Sequence, residues 1–489
     1  NIAAADISTI TDTVNSEVLA MSGGLGTTSS ANVGAYSLTD TSQGTLILAN
    51  GPSGANQGLA SNYTLTGGTQ DYTITQRVLN SSGSKTYDAN TNALAADITL
   101  SNLVSGETLN HSGTASISSA NAASYTITNL AGITLADNAG LASNYTLTGG
   151  THNFTVNPKV ISLSGSRLYD ATTDAVASDL TTISGLVGSE TLNLSGTGSV
   201  TNANVASNKT VTLGTLALAD NSGLAANYTL SGGTHQLTIN QRPLAATVAR
   251  QYDGTKTAAG SDLSSFDALQ GGETLTLSGS GTVGDENVAN GQGITLGTLA
   301  LVDGTGLASN YSLNSASLNI TERVLNSSGS KTYDANTNAL AGAITLSNLV
   351  SGEALNHSGT ATISSANAGS YTITNLAGIT IADGSGGTAS NYTLTGGTHN
   401  FTVNRRVVGV SGTRLYDATT NAVASDLSTH TNLVGTETLN LSGTGTIASK
   451  NVGSNKTVSV GTLALADGSN GGLAANYTLS GGTHQLTVN

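Results

Sequence analysis

The chain has 489 residues, 29 acidic against 15 basic, and a formal net charge of −14. It is too long for one hydrophobic core, and with no basic stripe it excludes nucleic acid and anionic membrane surfaces as partners. Gly at 61 residues, aromatics at 4% and no Trp argue for many small cores, and an apolar share of 37% argues against a disordered chain.

Absence of cysteine removes disulfides, thiolate metal sites and any cysteine nucleophile. No window approaches the roughly 18 uninterrupted apolar residues of a membrane span, and the first residues do not form a signal peptide. The visible chain is therefore expected to be mature or a fragment.

Residues 1–76 carry Glu17 and the string NYTL from Asn62, but no Tyr-Asp pair precedes them. They resemble the later part of a repeat whose first segment is lacking, which predicts an unpaired sheet edge. Residues 77–157 form the first full unit, repeat A. It opens on RVLNSSGSKTYDANTNALA from Arg77, with Tyr87-Asp88 inside, followed by Glu107. Tyr145 and Leu147, the pair Gly149-Gly150, then Phe154 and Val156 read as a hairpin. The segment NALAADITLSNLV leaves room for one short helix.

Repeat B, residues 158–240, has Tyr169-Asp170 and Glu190. Val211 and Leu213, an interrupting Gly214, then Leu216 and Leu218 read as two strand stretches with a bend at the glycine. Repeat C, 241–322, has Tyr252-Asp253 and Glu273. Residues 323–404 repeat A, with the opening 19 residues unchanged, Tyr333-Asp334 and Glu353; residues 405–489 repeat B, with Tyr416-Asp417 and Glu437. Successive Tyr-Asp pairs lie 82, 83, 81 and 83 residues apart, so the period is about 82 residues and the order is A-B-C-A-B after a truncated C-type unit.

About seven short strands per unit, alternating in hydrophobicity and separated by Gly, Asn, Ser and Asp turns, predict a β-sandwich. The fold expected is all-β: a tandem array of Ig-like sandwich domains of about 82 residues, forming an extended rod. A β-helix, with coils of about 20 to 30 residues, would need several dissimilar coils per period and is less economical.

Candidate chemistry is thin. A Tyr at a strand end is expected to bury its ring and bond its hydroxyl to backbone, and the following Asp suits an Asx-turn. His152, His235, His399 and His484, each in GGTH, recur about one domain apart and so do not converge as zinc ligands would. Their places in the C-type units are taken by Gln70 and Ala316. Calcium is the most plausible cofactor, because Asp137, Asp220, Asp303, Asp383 and Asp467 each begin a Gly/Ser/Asn loop. No loop supplies several carboxylates, however, and turn chemistry explains these aspartates, so no cofactor is expected. Sequons at Asn62, Asn144, Asn227, Asn310, Asn391 and Asn476 are of the kind that arises by chance in so Asn-, Ser- and Thr-rich a chain. No Ser-His-Asp set, paired carboxylates or phosphate loop stands apart from the repeats, and no enzyme is expected.

The basic residues gather in one segment per unit. Arg77, Lys159, Arg242, Arg323, Arg405 and Arg406 lie at junctions, while Lys85, Arg167, Arg250, Lys331 and Arg414 lie just before the Tyr. Either they keep strand edges soluble, or they pair with acidic turns of the neighbouring unit and bias its angle.

The strings YDGTKTAA at Tyr252, GDENVANGQGITLGTLALVDG from Gly284 and LASNYSL from Leu307 resemble the YDG repeat, found in very large bacterial surface proteins related to filamentous haemagglutinin. The likeness covers essentially the whole chain, although Ala at 89, 171, 335 and 418 stands where that repeat often has Gly, which reads as a less demanding turn. The resemblance implies a secreted or cell-surface protein whose repeats are spacers or adhesive modules, and it implies no reaction. The function expected is a stalk segment of an extracellular bacterial adhesin or fibre. The alternatives are a self-assembling filament or matrix subunit, or a module binding cell-surface glycan or protein.

Overall fold

The computed structural model describes residues 1–38, 44–66 and 70–489. The chain divides into two compact units, 1–240 and 241–489. Each is an all-β stretch of successive repeats.

Residues 77–157 show the repeat plan. The strands are β1 Arg77–Val78, β2 Asn80–Thr86, β3 Asn92–Leu94, β4 Ile98–Ser101, β5 Asn110–Ile117, β6 Ala123–Asn129, β7 Ile133–Ala136, β8 Tyr145–Thr146 and β9 His152–Asn157. The sheet order is β4-β2-β9-β6-β5-β7, with β3 also on β5. The first and last long strands, β2 and β9, pair in parallel, so the fold closes only when the end of the repeat returns to its beginning. The same central order of four strands recurs in residues 158–240 and 241–322.

Alternation drives this arrangement. In β9 the residues His152, Phe154 and Val156 are buried while their neighbours face outward. Gly83 on β2 lies opposite Phe154, and a Cβ there would sit 2.9 Å from the Phe154 ring and 2.3 Å from the Asp97 carbonyl oxygen. Repeat C solves the same space differently, with Val248 opposite the smaller Leu318. Both solutions fill the space between the two central strands.

The hairpin expected at Gly149-Gly150 does not form. β8 and β9 do not pair with each other; they pair in parallel with β1 and β2, as two halves of one interrupted ladder. Between Thr146↔Val78 and His152↔Ser81 the later strand takes six residue steps against three on its partner, and Gly149, at φ +84°, lets the excess loop out. Repeat C has almost no excess, so Tyr311–Thr321 runs as one strand along Arg242–Gln251. Gly214 does bend the chain as the alternation predicts, with φ +54° between strands Ala206–Thr210 and Ala217–Ala219. The segment NALAADITLSNLV holds a single 3-10 turn, Ala95–Asp97, between two strands.

Residues 1–76 are the exception to the plan. Their last strand, Gln70–Ile74, pairs antiparallel with Gly34–Leu38. The parallel partner that β2 supplies to β9 has no counterpart among the described residues of this segment.

Candidate functional site at the repeat joints

The residues that mark the repeat meet where one repeat hands over to the next. Within each unit, full repeats follow one another with a single residue between strands: Pro158 inside the first unit, Glu322 and Arg405 inside the second. The Tyr of the Tyr-Asp pair stands at that exit, because its N–H donates to the carbonyl of the last strand residue, Tyr87 to Asn157 at 2.9 Å and Tyr333 to Asn404 at 2.9 Å.

From there the side chain reaches the following repeat. Tyr87 Oη donates to Glu190 Oε1 at 2.6 Å, and Tyr228, in the same repeat as Glu190, donates to its Oε2 at 2.6 Å. Tyr252 and Tyr392 share Glu353 at 2.6 Å each, and Tyr333 and Tyr477 share Glu437 at 2.7 and 2.6 Å. One carboxylate thus ties two tyrosines from successive repeats. The rings meet edge to face, with centroids 5.3 to 5.4 Å apart, a geometry worth about 0.5–1.5 kcal/mol beyond burial. The second tyrosine is fixed in turn by the glutamate's own turn, where Val187 N–H donates to Tyr228 Oη at 3.0 Å.

An asparagine hook closes the joint beside this triad. Asn227 Oδ1 accepts from Ala122 N–H at 2.7 Å and its Nδ2 donates to Asn121 Oδ1 at 3.0 Å, both in the preceding repeat. Asn391 grips Val288 and Asn287, and Asn476 grips Ala368 and Asn367, in the same way. Asn144 does so with Val33 and Asn32 of residues 1–76. Apolar packing follows the polar contacts. Leu325 and Tyr392 of residues 323–404 belong to the core cluster of residues 241–322, with Leu355 packed against it, and the cores of 323–404 and 405–489 form one cluster.

Burial, then the hydrogen bond to Glu190, pushes Tyr87 and Tyr228 up to about 12. Tyr333 and Tyr477 rise to about 12 by burial and by Glu437, and Tyr392 likewise by burial and Glu353. Tyr252 rises further for the same reasons. The phenols stay protonated donors across the physiological range.

Tyr416 is the internal control. Among the described residues no repeat packs on it, and it is 50% exposed, against 5%, 4% and 3% for Tyr87, Tyr252 and Tyr333. The neighbour, not the tyrosine's own repeat, buries the ring. Tyr169, also at a repeat exit, is buried at 3%.

Three expectations are corrected by this geometry. The tyrosine hydroxyl bonds a carboxylate of the next repeat instead of backbone. Of the two roles open to the basic residues before each Tyr, pairing with the neighbour is not the one seen: Lys85, Arg167, Arg250, Lys331 and Arg414 each pair within their own turn, with Asp88, Asp170, Asp253, Asp334 and Asp417. Junction arginines instead hold their own repeat, Arg77 on Asn102 and Arg323 on Asn348, and Arg323 and Arg406 add a bond at 3.3 Å to the carbonyls of Tyr252 and Tyr333. The third concerns the turn after Tyr-Asp. Ala89, Ala171, Ala335 and Ala418 all have φ of +60 to +64°, matching Gly254 at +74°, so the turn is as demanding with Ala as with Gly.

The Asp of Tyr-Asp does form the expected Asx-turn, Asp170 Oδ1 accepting from Thr172 N–H at 2.9 Å. The calcium candidates cap the turn that presents Asn-Tyr: Asp137, Asp220, Asp303, Asp383 and Asp467 accept from the N–H of Ala142, Ala225, Ala308, Ala389 and Ala474 at 2.7 to 2.8 Å. Among the described residues no three His, Cys, Asp or Glu side chains gather as metal ligands. His152, His235, His399 and His484 are buried at 5%, and each shares Nε2 with a backbone carbonyl at 2.7 to 2.8 Å. The sequon residues Asn227, Asn310, Asn391 and Asn476 are at most 1% exposed, which leaves no room for a glycan.

A family model for the YDG domain matches residues 69–153, 151–236, 234–318, 318–399 and 402–484. The chain belongs to the YDG domain family. Its five matched YDG domains account for nearly all of it, and only Tyr252-Asp253-Gly254 spells the name in full. A search of curated proteins finds no match. The elements common to these YDG domains, Tyr, Glu and Asn-Tyr, are those that build the joints.

Proposed function

We propose that this run of YDG domains is a spacer: a segment of the stalk of a secreted, extracellular bacterial adhesin or fibre, related to filamentous haemagglutinin and without catalysis. The observation that carries the reading is the fate of the repeat markers. Tyr87, Glu190, Asn227 and Tyr228, with their counterparts in the second unit, are occupied in repeat-to-repeat contacts. Single-residue linkers point the same way, since short connections restrict independent tumbling.

A lectin-like role is the weaker reading, because sugar platforms use exposed aromatics and most tyrosines here are enclosed in joints. Immunogold electron microscopy with antibody raised against the 489-residue chain tests the proposal. Labelling along surface fibres is the expected result. Intracellular labelling, or strong glycan-array binding by the same chain, would overturn it.

A further inference from the structure

Tension along a chain enters each domain through its first strand and leaves through its last. In residues 77–157, 158–240 and 323–404 the first and last long strands pair in parallel over six residue pairs, and in residues 241–322 Arg242–Gln251 and Tyr311–Thr321 pair over ten. Parallel pairing sets the two points of pull at opposite ends of the ladder, so its hydrogen bonds lie across the pull and must break together. An antiparallel pair would be pulled at one end and would open bond by bond. The pair also sits in the middle of the sheet, with β2 and β9 between β4 and β6, and the same holds in 158–240 and 241–322. Its inward side chains, Phe154 and Val156, Leu237 and Ile239, and Val248, Leu318 and Ile320, are all buried. One strand therefore cannot slip a residue past the other without setting those side chains on the wrong face.

We propose that each repeat is a tension clamp, in which the parallel pair of first and last strands resists extension in shear, and that repeat C, with the longest uninterrupted ladder, yields at the highest force. The inference rests on the spacer reading for the source of the tension and on the strand pairing alone for the resistance. The clamp of repeat A is shorter because of the segment looped out at Gly149: β8 lies beyond that slack and takes no pull from β9. In repeat C the two parts are fused, and only Asn314 bulges, between Leu244↔Leu313 and Ala245↔Ser315.

Single-molecule pulling on the full 489-residue chain tests this, because a chain without cysteine takes handles only where cysteines are introduced. With handles attached under reducing conditions at the exposed positions Gln241→Cys and Glu322→Cys, repeat C is pulled along its ladder; with Gln241→Cys and Ser309→Cys the same two strands are pulled apart from the end where both begin. Forced unfolding reads the unfolding rate, so the first pair of handles should need a severalfold higher force at equal pulling speed. Glu322→Cys with Arg405→Cys pulls on the six-pair ladder of residues 323–404 and should rupture below the repeat C ladder. The contour released, about 3.3–3.6 Å per residue between handles, shows that each repeat was folded when pulled. Equal forces in the two repeat C geometries, or a repeat A stronger than repeat C, would overturn the proposal. The forces are read on the isolated chain, so their failure is distinct from an absence of label on surface fibres, which sinks the spacer reading and leaves the clamp standing.

Discussion

Ala89, Ala171, Ala335 and Ala418 hold left-handed backbone at φ of +60 to +64°, where an L residue costs roughly 1–2 kcal/mol. Glycine would relieve that strain while adding about 0.4–1 kcal/mol of freedom to the unfolded chain. Ala335→Gly is therefore expected to stabilise its repeat by about 0.5–1 kcal/mol, read as a rise in urea midpoint at constant slope; a fall would show that the alanine methyl makes a contact worth more than the strain. Gly254→Ala should act oppositely, because a Cβ there sits 2.9 Å from Val350 of the next repeat. The Asx-turn was legible from residue types alone, since Asp two positions before a Thr or Asn N–H has few other uses. The strain was not legible, because Ala carries no sequence sign of a positive φ.

At the scale of elements, strand alternation and the glycine bend at Gly214 were readable, but the β8–β9 hairpin was misread because a looped-out excess in a parallel ladder looks like a turn. The joint was hidden for a plainer reason. Tyr87 and Glu190 are 103 residues apart, more than one period, so the pair is invisible to any argument made within a repeat. Co-recurrence of one Glu with two tyrosines in every full unit was the available signal. Removing one hydroxyl should show the pairing. Tyr333→Phe leaves a half-buried carboxylate oxygen of Glu437 without its donor, at a cost of about 1–3 kcal/mol, whereas Tyr416→Phe, at a half-exposed ring, should change the stability of the 489-residue chain little. Equal effects of the two in thermal unfolding would count against the joint. Alkaline pH is a second probe. Tyr87, Tyr228, Tyr333, Tyr392 and Tyr477 are raised from 10.0 to about 12. The folded joint therefore keeps protons that an unfolded tyrosine surrenders. Its contribution is complete below pH about 10 and is lost as pH rises through about 12. Tyrosinate absorbance should show these phenols ionising later in the native than in the urea-unfolded chain; coincident curves would contradict it.

Over the whole molecule, two inexpensive explanations of order are set aside by where the charges lie. The lysines and arginines before each Tyr hold their own Asx-turns, and the loop aspartates cap 3-10 turns. Chelation should accordingly leave the melting temperature unchanged, and a large calcium-dependent rise would move those aspartates from caps to ligands. The repeat period and the all-β class were legible from 489 residues of sequence because each repeat carries the same order of features; what joins one repeat to the next was not, because the paired residues lie more than one period apart. That tyrosines and a shared glutamate fix the angle between repeats can be measured directly, because a chain without cysteine accepts spin labels only where cysteines are introduced. Pulsed electron resonance between labels at the exposed positions Ser347→Cys and Ser442→Cys, one in each of two successive repeats, reports that angle as a distance distribution. It should be narrow, persist in about 1 M salt where exposed charges are screened, and broaden on Tyr333→Ala. A distribution already broad in the parent chain, or one that Tyr333→Ala leaves unchanged, would contradict the tyrosine joint.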